Sequence, residues 1–307
     1  MPSPGPRLPN GRRIGSDVHE VLINPPSSAF GNANAILNAR AARHHESRFT
    51  GPLSVKAVID GRATWETAEG RFEMMPGAVL LLNDGEEYTV SVDALQPVET
   101  FCFFFERGFV EDAFRATTSA SAELLDSDRM ERVVFHERLH FDVELVDELS
   151  RSRESGGYNL ALALVRKHGD MKTRIAGLPP LRAATREELA RRVGIATSYL
   201  HANSTRGVTL REAAHAACLS PFHFHRLFTQ FHGITPHRYL TRLRLERARA
   251  LLRASGANVL DVALECGFES HGTFATLYKR TFGVTPGAEK KQDRRNAQSS
   301  RGTTMQS

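Results

Sequence analysis

The stretch TLREAAHAACLSPFHFHRLFTQFHGITP, Thr209–Pro236, is read a second time as NVLDVALECGFESHGTFATLYKRTFGVTP, Asn258–Pro286. Aligned from their shared ends, Ser220, Phe224, Leu227, Gly233, Thr235 and Pro236 fall on Ser270, Phe274, Leu277, Gly283, Thr285 and Pro286, a constant shift of 50 positions. Upstream of the serines the shift is 49, which places Ala214 on Ala263 and Leu219 on Phe268. The second copy therefore carries one extra residue in its connection. A unit duplicated with a single insertion points to two copies of one supersecondary motif.

Each copy follows one physical plan. Thr209 or Asn258 can cap a short helix. Ala214 or Ala263 is small enough for a second helix to approach closely. After a turn, Ser220 or Ser270 caps that second helix. In the first copy Phe224, Leu227, Phe228 and Phe231 recur at i, i+3, i+4 and i+7, an amphipathic stripe. Gly233 and Gly283 stop the helices, with Pro236 and Pro286 three residues on. Two short helices joined by a tight turn make a helix-turn-helix, whose second helix enters a DNA major groove. A lone pattern of this kind is more often a plain helical bundle; its duplication argues for DNA.

The segment LSPFHFHRLFTQFHGITPHRYLTRLRLERARALL, followed by DVALECGFESHGTFATLYKRTFGVTP, resembles the DNA-binding domain of AraC-type transcription regulators. The resemblance covers residues 185–289, about a third of the chain. It implies two helix-turn-helix units held by a linking helix over His237–Ala254, with double-stranded DNA as the partner.

Charge is distributed accordingly. Residues 185–290 hold 15 Lys+Arg against 8 Asp+Glu, a net of +7, and residues 291–307 hold four against one, +3. Residues 1–184 hold 21 against 26, −5, so the excess positive charge lies on the proposed DNA-binding half and its tail. No apolar run approaches the ~20 residues of a membrane span, so no membrane partner is expected. Cys102, Cys218 and Cys266 make neither a paired framework nor a metal spacing, and a reducing cytoplasm is the simplest setting. Residues 1–16, rich in Pro, Gly and Arg, read as a disordered leader, and 290–307 as a disordered basic tail.

Asp17–Ile23 alternates enough to be a strand, whereas Ser28–Ala42, rich in Ala and Asn, is given no firm element. Leu53–Phe105 reads as short strands separated by Asp60-Gly61, Glu69-Gly70, Pro76-Gly77 and Asp84-Gly85. Strands so spaced predict a small sandwich or barrel. Pro76-Gly77 before a buried strand, then Asn83-Asp84-Gly85, resembles the cupin-like half-barrel that often precedes this DNA-binding domain. The fold class expected is α+β: a cupin-like β sensor domain over 17–108, a helical connecting or dimerisation segment over 109–180, and the all-α DNA-binding domain over 185–289.

Cupin enzymes hold a metal through histidines and a glutamate on neighbouring strands, but the strands AVLLLN and EYTVSV carry no histidine. His44, His45 and Glu46 form the one close cluster and read as a solvated segment before the β region. No metal, cofactor or catalytic residue is expected. Further on, GFVEDAFRA reads as a helix, SASAELLDSDRM as a polar connection and VVFHERLHF as a returning strand. Val143–Ser152 and Tyr158–Ala176 form a helical pair broken at Ser155-Gly156-Gly157. Val146 and Leu149, facing Leu160, Leu164 and Val165, fit either a homodimer surface or a cover on the β domain. Leu178-Pro179-Pro180 marks the boundary. Thr185 with Glu188 is a capping-box pattern for a helix reaching Ala202.

With Phe224, Leu227 and Phe228 inside the first recognition helix, Phe222, His223, His225, Arg226 and Gln230 point outward. Phe222, His225 and Arg226 match the base-contacting positions that the resemblance implies. Arg226 can bond a guanine bidentately, Phe222 can pack on a thymine methyl, and His225 can donate or accept. In the second helix His271, Gly272, Ala275 and Thr276 match the same positions. An arginine is frequent in the family where Thr276 stands. Lys279 and Arg280 suit phosphate contacts. Ser220 and Ser270, at helix N-termini, suit a phosphate or serve as caps alone. The first unit is therefore expected to read most of the sequence and the second to position the protein. Arg242, Arg244, Arg247, Arg249 and Arg253 of the linking helix read as a solvated face, with Glu246 paired to one of them.

The function expected is a DNA-binding transcription regulator, activating or repressing, with a small-molecule effector at the N-terminal domain and RNA polymerase as a further partner. An enzyme with an ancillary helical domain finds no nucleophile–base pair or metal spacing in its support. A regulator whose N-terminal domain only mediates assembly stays open.

Overall fold

The computed structural model describes residues 21–118, 132–178, 182–254 and 258–290. The leader, the connection SASAELLDSDRM and residues 291–307 of the basic tail lie outside them. So do Asp17–Glu20 of the first expected strand and Pro179-Pro180 of the expected boundary. The chain divides into two compact units, Met1–Gly194 and Ile195–Ser307.

The first unit is built on two long strands. In chain order its elements are β1 Leu22–Ile23, β2 Ala35–Thr50, β3 Ser54–Asp60, β4 Ala63–Thr67, β5 Gly70–Met74, β6 Val79–Leu82, β7 Glu87–Phe104, helix α1 Phe109–Thr118, β8 Leu139–His140, α2 Val143–Ser150 and α3 Tyr158–Ala176. Strands β2 and β7 pair antiparallel from Ala35↔Phe104 to Thr50↔Glu87, with register shifts between Ala41 and Arg43 and between Glu46 and Phe49. The other edge of β7 meets β4 through Tyr88–Ser91 and β3 through Glu99–Phe104. One bent strand thus serves both parts of the sheet, and shifts of this kind supply local twist.

Alternation along the strands separates two cores. On one face Val55, Ala57, Val79, Leu81, Phe103 and Phe105 pack against Val110 and Phe114 of α1, Leu145 and Leu149 of α2, and Leu160, Leu164 and Val165 of α3. On the other face Val58, Trp65, Phe72, Leu80, Leu82, Tyr88, Cys102 and Phe104 form a core of their own. The apolar edges of α2 and α3 are therefore turned onto the sheet, the covering role of the two alternatives.

The expected strands over Leu53–Phe105 are present, although EYTVSV and VETFCFFFE form one continuous β7. Three expectations need correction. Ser28–Ala42 contributes the start of a 16-residue strand, β2; its Ala, Asn and Arg content is weak β material, and pairing with β7 overrides propensity. His44, His45 and Glu46 consequently lie within the β region, on β2, where His45 Nδ1 sits 3.0 Å from Ser91 Oγ. Of VVFHERLHF only Leu139–His140 pairs, with β6. Phe135 is held instead by Asn83, whose Oδ1 accepts from its N–H at 2.9 Å and whose Nδ2 donates to its carbonyl at 3.1 Å.

Helix α4, Ala183–Ala202, starts two residues before the expected cap at Thr185. Glu188 accepts from Arg191 and Arg192, both at 2.8 Å. These hydrogen bonds hold its carboxyl down to about 2. The carboxylate that reads as half of a capping box is thus engaged one turn further on.

The second unit continues with α5 Leu210–Ala216, α6 Pro221–His232, α7 Pro236–Ala254, α8 Val259–Glu265 and α9 His271–Phe282. No described helix is long and apolar enough to cross a membrane.

Candidate nucleic-acid interface

Each repeat folds as a helix pair with its ends fixed locally. Thr209 caps α5 in a reciprocal box with Glu212, and Asn258 caps α8 by accepting from Leu260 N–H. Ser220 Oγ accepts from His223 N–H, and Ser270 Oγ accepts from Thr273 N–H, both at 3.3 Å. Both serines thus act as caps. Gly233 and Gly283 close α6 and α9 in the left-handed conformation, at φ 71° and 76°. That region is open to glycine at no steric cost.

The stripe of α6 is buried as expected: Phe224, Leu227, Phe228 and Phe231 are at most 3% exposed. It stacks onto the linking helix through Phe228 and Tyr239, 5.3 Å apart and edge to face. His201 Nε2 lies 3.0 Å from Tyr239 Oη, and Thr197 Oγ1 lies 3.0 Å from His232 Nε2, which tie the end of α4 to the same cluster. In α9 the inward set is narrower. Phe274 and Tyr278 are buried, Leu277 is half-buried, and Thr281 stands exposed at the position of Phe231.

Opposite that stripe, Phe222 is 80% exposed, an unusual place for a large aromatic ring. His225, Arg226 and Gln230 are exposed beside it, and His223 is half-buried. On α9, His271, Gly272, Thr276, Lys279 and Arg280 are exposed and Ala275 is half-buried. A Cβ added at Gly272 would find only Ser270 Oγ, at 3.8 Å, so packing does not dictate glycine there.

The linking-helix arginines brace the domain and are not a solvated row, which corrects the expectation. Arg244 donates to the carbonyls of Ser204 at 2.6 Å and Arg206 at 2.7 Å. Arg249 and Arg253 converge on buried Glu289, whose Oε1 accepts at 3.2 and 2.8 Å. Arg247 is itself buried. Arg242 pairs with Glu246 at 3.7 Å, the expected ion pair. On the recognition helices themselves Arg226, Lys279 and Arg280 are exposed, and Arg211, Arg238 and Arg242 are exposed elsewhere in the same unit.

Loop Ser204–Arg206 also touches the second helix pair, α8 and α9. A Cβ on Gly267, in the α8–α9 turn, would stand 2.9 Å from the Thr205 carbonyl oxygen. Arg244 and Gly267 together fix that loop between the two helix pairs, so these are held as one body.

Two polar residues of the first unit escaped the sequence reading: Ser54 and Lys56, both buried on β3. The signal was a lone lysine inside SVKAVID, whose inward direction follows only once register is known. Among the described residues no three His, Cys, Asp or Glu side chains are grouped to hold a metal.

The chain thus couples a helix-covered β domain to a pair of helix-turn-helix units, the construction of a DNA-binding protein with a separate sensing domain. The family description "AraC-like ligand binding domain" matches residues 37–152, and "Helix-turn-helix domain" matches residues 213–292. The chain thus resembles AraC-type regulators in both halves. It is similar to the HTH-type transcriptional activator RhaS of Escherichia coli, 40% identical over 100 residues, which are 33% of this chain and 36% of that one. The chain thus matches about a third of that relative's length. It is also similar to an AraC-type regulator of known structure from Chromobacterium violaceum, at 31% identity, 36% of this chain, 96% of that chain and a TM-score of 0.32. Fatty-acid-bound ToxT from Vibrio cholerae aligns over 85% of this chain and 96% of its own at 12% identity and a TM-score of 0.34. At those TM-scores neither superposition bears on the geometry above.

Proposed function

We propose that this chain is a sequence-specific DNA-binding regulator of transcription whose N-terminal domain receives a small-molecule or partner signal. The observation that carries the reading is the exposed set Phe222, His225 and Arg226 on α6, directly opposite a buried aromatic stripe, in a unit that the chain repeats. A helix presented this way fits a major groove, with Arg226 on a guanine and Phe222 on a thymine methyl. His223 and Gln230 flank them. On α9, His271, Gly272, Ala275 and Thr276 face the next groove segment with less hydrogen-bonding capacity. Lys279 and Arg280 hold phosphates, and the capped N-termini at Ser220 and Ser270 approach the backbone.

Residues 185–289 form the DNA-binding part, 17–108 the sensor and 109–180 the connecting segment. The protein works as a homodimer in the cytoplasm and, as an activator, meets RNA polymerase. It performs no catalysis. Selection of bound sites from a random DNA pool tests the reading. The expected result is an enriched site with two blocks about one helical turn, ~10 base pairs, apart. No enrichment over the input pool, or binding that ignores salt, would overturn it.

A further inference from the structure

The two helix-turn-helix units differ sharply on a face that the DNA-binding reading does not use. The 49-position shift sets Arg211, His215 and Ala216 of α5 against Leu260, Leu264 and Glu265 of α8. Arg211 and His215 are exposed at i and i+4, and so are Leu260, at 46%, and Leu264, at 57%. Beside Arg211 and His215 opens a groove of about 470 Å³, lined by Tyr199, Arg211, Glu212, His215 and Ala216, and its surface is largely apolar. Glu212, the acid in that lining, is spent on Arg206 at 3.2 Å and on the Thr209 N–H at 2.8 Å. Arg206 also donates to Tyr199 Oη at 2.8 Å, which fixes the aromatic wall. Among the described residues neither Arg211 nor His215 has a side-chain hydrogen bond or ion pair. On α8, Asp261 stands exposed beside the two leucines. One unit thus offers an apolar groove with a cationic rim, and the other an apolar ridge with an acidic flank.

Phosphates repel Asp261 and gain nothing from leucine, so the α8 ridge is no DNA surface. Nor does it fill the groove of its own chain, because both stay exposed where Arg244 and Gly267 hold the two helix pairs as one body. We propose that the ridge of Leu260 and Leu264 in one copy of this chain docks in the α5 groove of a second copy, with Asp261 meeting Arg211 and His215. Such a contact is heterologous, so each pair leaves one groove and one ridge free, and copies follow one another head to tail. It favours binding sites repeated in one orientation over inverted ones. Two leucines on a short helix bury well under the ~1,000 Å² of a stable interface. The contact therefore works where DNA already holds two copies close together and raises their effective concentration. The inference deepens the regulator reading and rests on it for its place on DNA, whereas the contact itself is also measured without DNA.

The test uses the full chain as wild type, as Leu264→Glu and as Arg211→Glu. Sedimentation at high protein concentration follows self-association without DNA, and titration follows binding to DNA with one selected site or with two in tandem. Wild type is expected to show an association step beyond any that the variants share. Each variant should weaken that step by ~10-fold or more, because an added acid faces the apolar groove in one and Asp261 in the other. An equimolar mixture of the two variants should recover it, since one keeps an intact groove and the other an intact ridge. On tandem sites of one orientation wild type should bind the second copy on the order of 10-fold more tightly than the first. Leu264→Glu should bind both alike, with its single-site affinity unchanged. Equal behaviour of the three proteins, both off and on DNA, overturns the proposal. So does a mixture no stronger than its components, which marks a different partner for the ridge. Absence of DNA binding in every protein, with the association and its recovery intact, would sink the regulator reading and leave the contact standing.

Discussion

Cys218 and Gly267 occupy the same backbone position in the turns of the two helix-turn-helix units, at φ 52° and φ 80°. The 49-position shift equates them, and the inserted residue of the second turn is Glu269, just before Ser270. The first turn forces an L side chain into the left-handed region, and the second uses glycine because the Thr205 carbonyl lies 2.9 Å from where a Cβ would be. Left-handed backbone costs a non-glycine residue about 1 kcal/mol. Cys218→Gly should therefore stabilise the domain by up to ~1 kcal/mol. Gly267→Ala should destabilise it by ~2 kcal/mol or more, because strain and collision add. Urea unfolding of the two variants checks the opposite signs.

Arg226 and Thr276 stand at matching positions on α6 and α9, and both are exposed. Arg226→Ala should cost about 1–3 kcal/mol on the preferred site and relax the preference at one base pair. Thr276→Ala should cost under ~1 kcal/mol. Binding across single-base operator variants compares them, and a larger loss of discrimination with Thr276→Ala would reverse the ranking of the two units.

Lys279 and Arg280 end α9 with both side chains exposed. Replacing either with Ala should weaken binding nearly equally on preferred and unrelated DNA, and lower the slope of log K against log salt by about 1. A variant that altered base preference and left the slope intact would place that residue on a base.

Much of the helical half was legible in the sequence because its determinants are local. Caps at Thr209, Ser220, Asn258 and Ser270, the Phe224–Phe231 stripe and the stops at Gly233 and Gly283 all act within a few residues of themselves. The β half was less legible because its determinants are distant. Residues Ala35–Thr50 are held as a strand chiefly by β7, and Phe135 is held by Asn83 across the fold. The roles of Arg244, Arg249 and Arg253 were hidden for the same reason, since their partners lie 36 to 40 residues away. Of the candidate interface, the outward set on α6 was readable from periodicity alone. The inward direction of Lys56 was not, because it depends on register.

Glu289 is buried and gathers Arg249, Arg253 and, through Oε2 at 3.4 Å, the Tyr278 hydroxyl. Burial pushes its carboxyl up, but the bonds from Arg253 and Arg249 pull it below the usual range. Glu289→Gln keeps the shape and removes the charge. Both guanidiniums are partly exposed, so water screens the loss, and a cost of about 1–2 kcal/mol is expected. A depressed carboxyl stabilises above its unfolded value and loses that effect as pH falls through the folded value. The gap between wild type and Glu289→Gln should therefore close below about pH 4. Unfolding of residues 183–307 or the full chain at pH 7 and pH 3 reads both terms.

Lys56 also makes stability rise with pH, on the alkaline side, but here the charged form is the burden and the neutral form the favourable one. Burial lowers it from 10.5 to about 8, with Cys102 opposing. Between those values the folded chain has released the proton and the unfolded chain still holds it, so stability climbs with pH across that window. The full climb is on the order of 3 kcal/mol, because each pKa unit is worth about 1.4. Below about pH 8 the charged lysine is a burden, and Lys56→Met should be the more stable protein there. The difference should shrink as pH rises from 7 to 10. Cys102 and Tyr88, whose acidities burial also lowers, are present in both proteins and drop out of the comparison. Chemical unfolding of the two proteins across that range measures the difference. A gap that stays constant with pH would mean that Lys56 is solvated in the folded state.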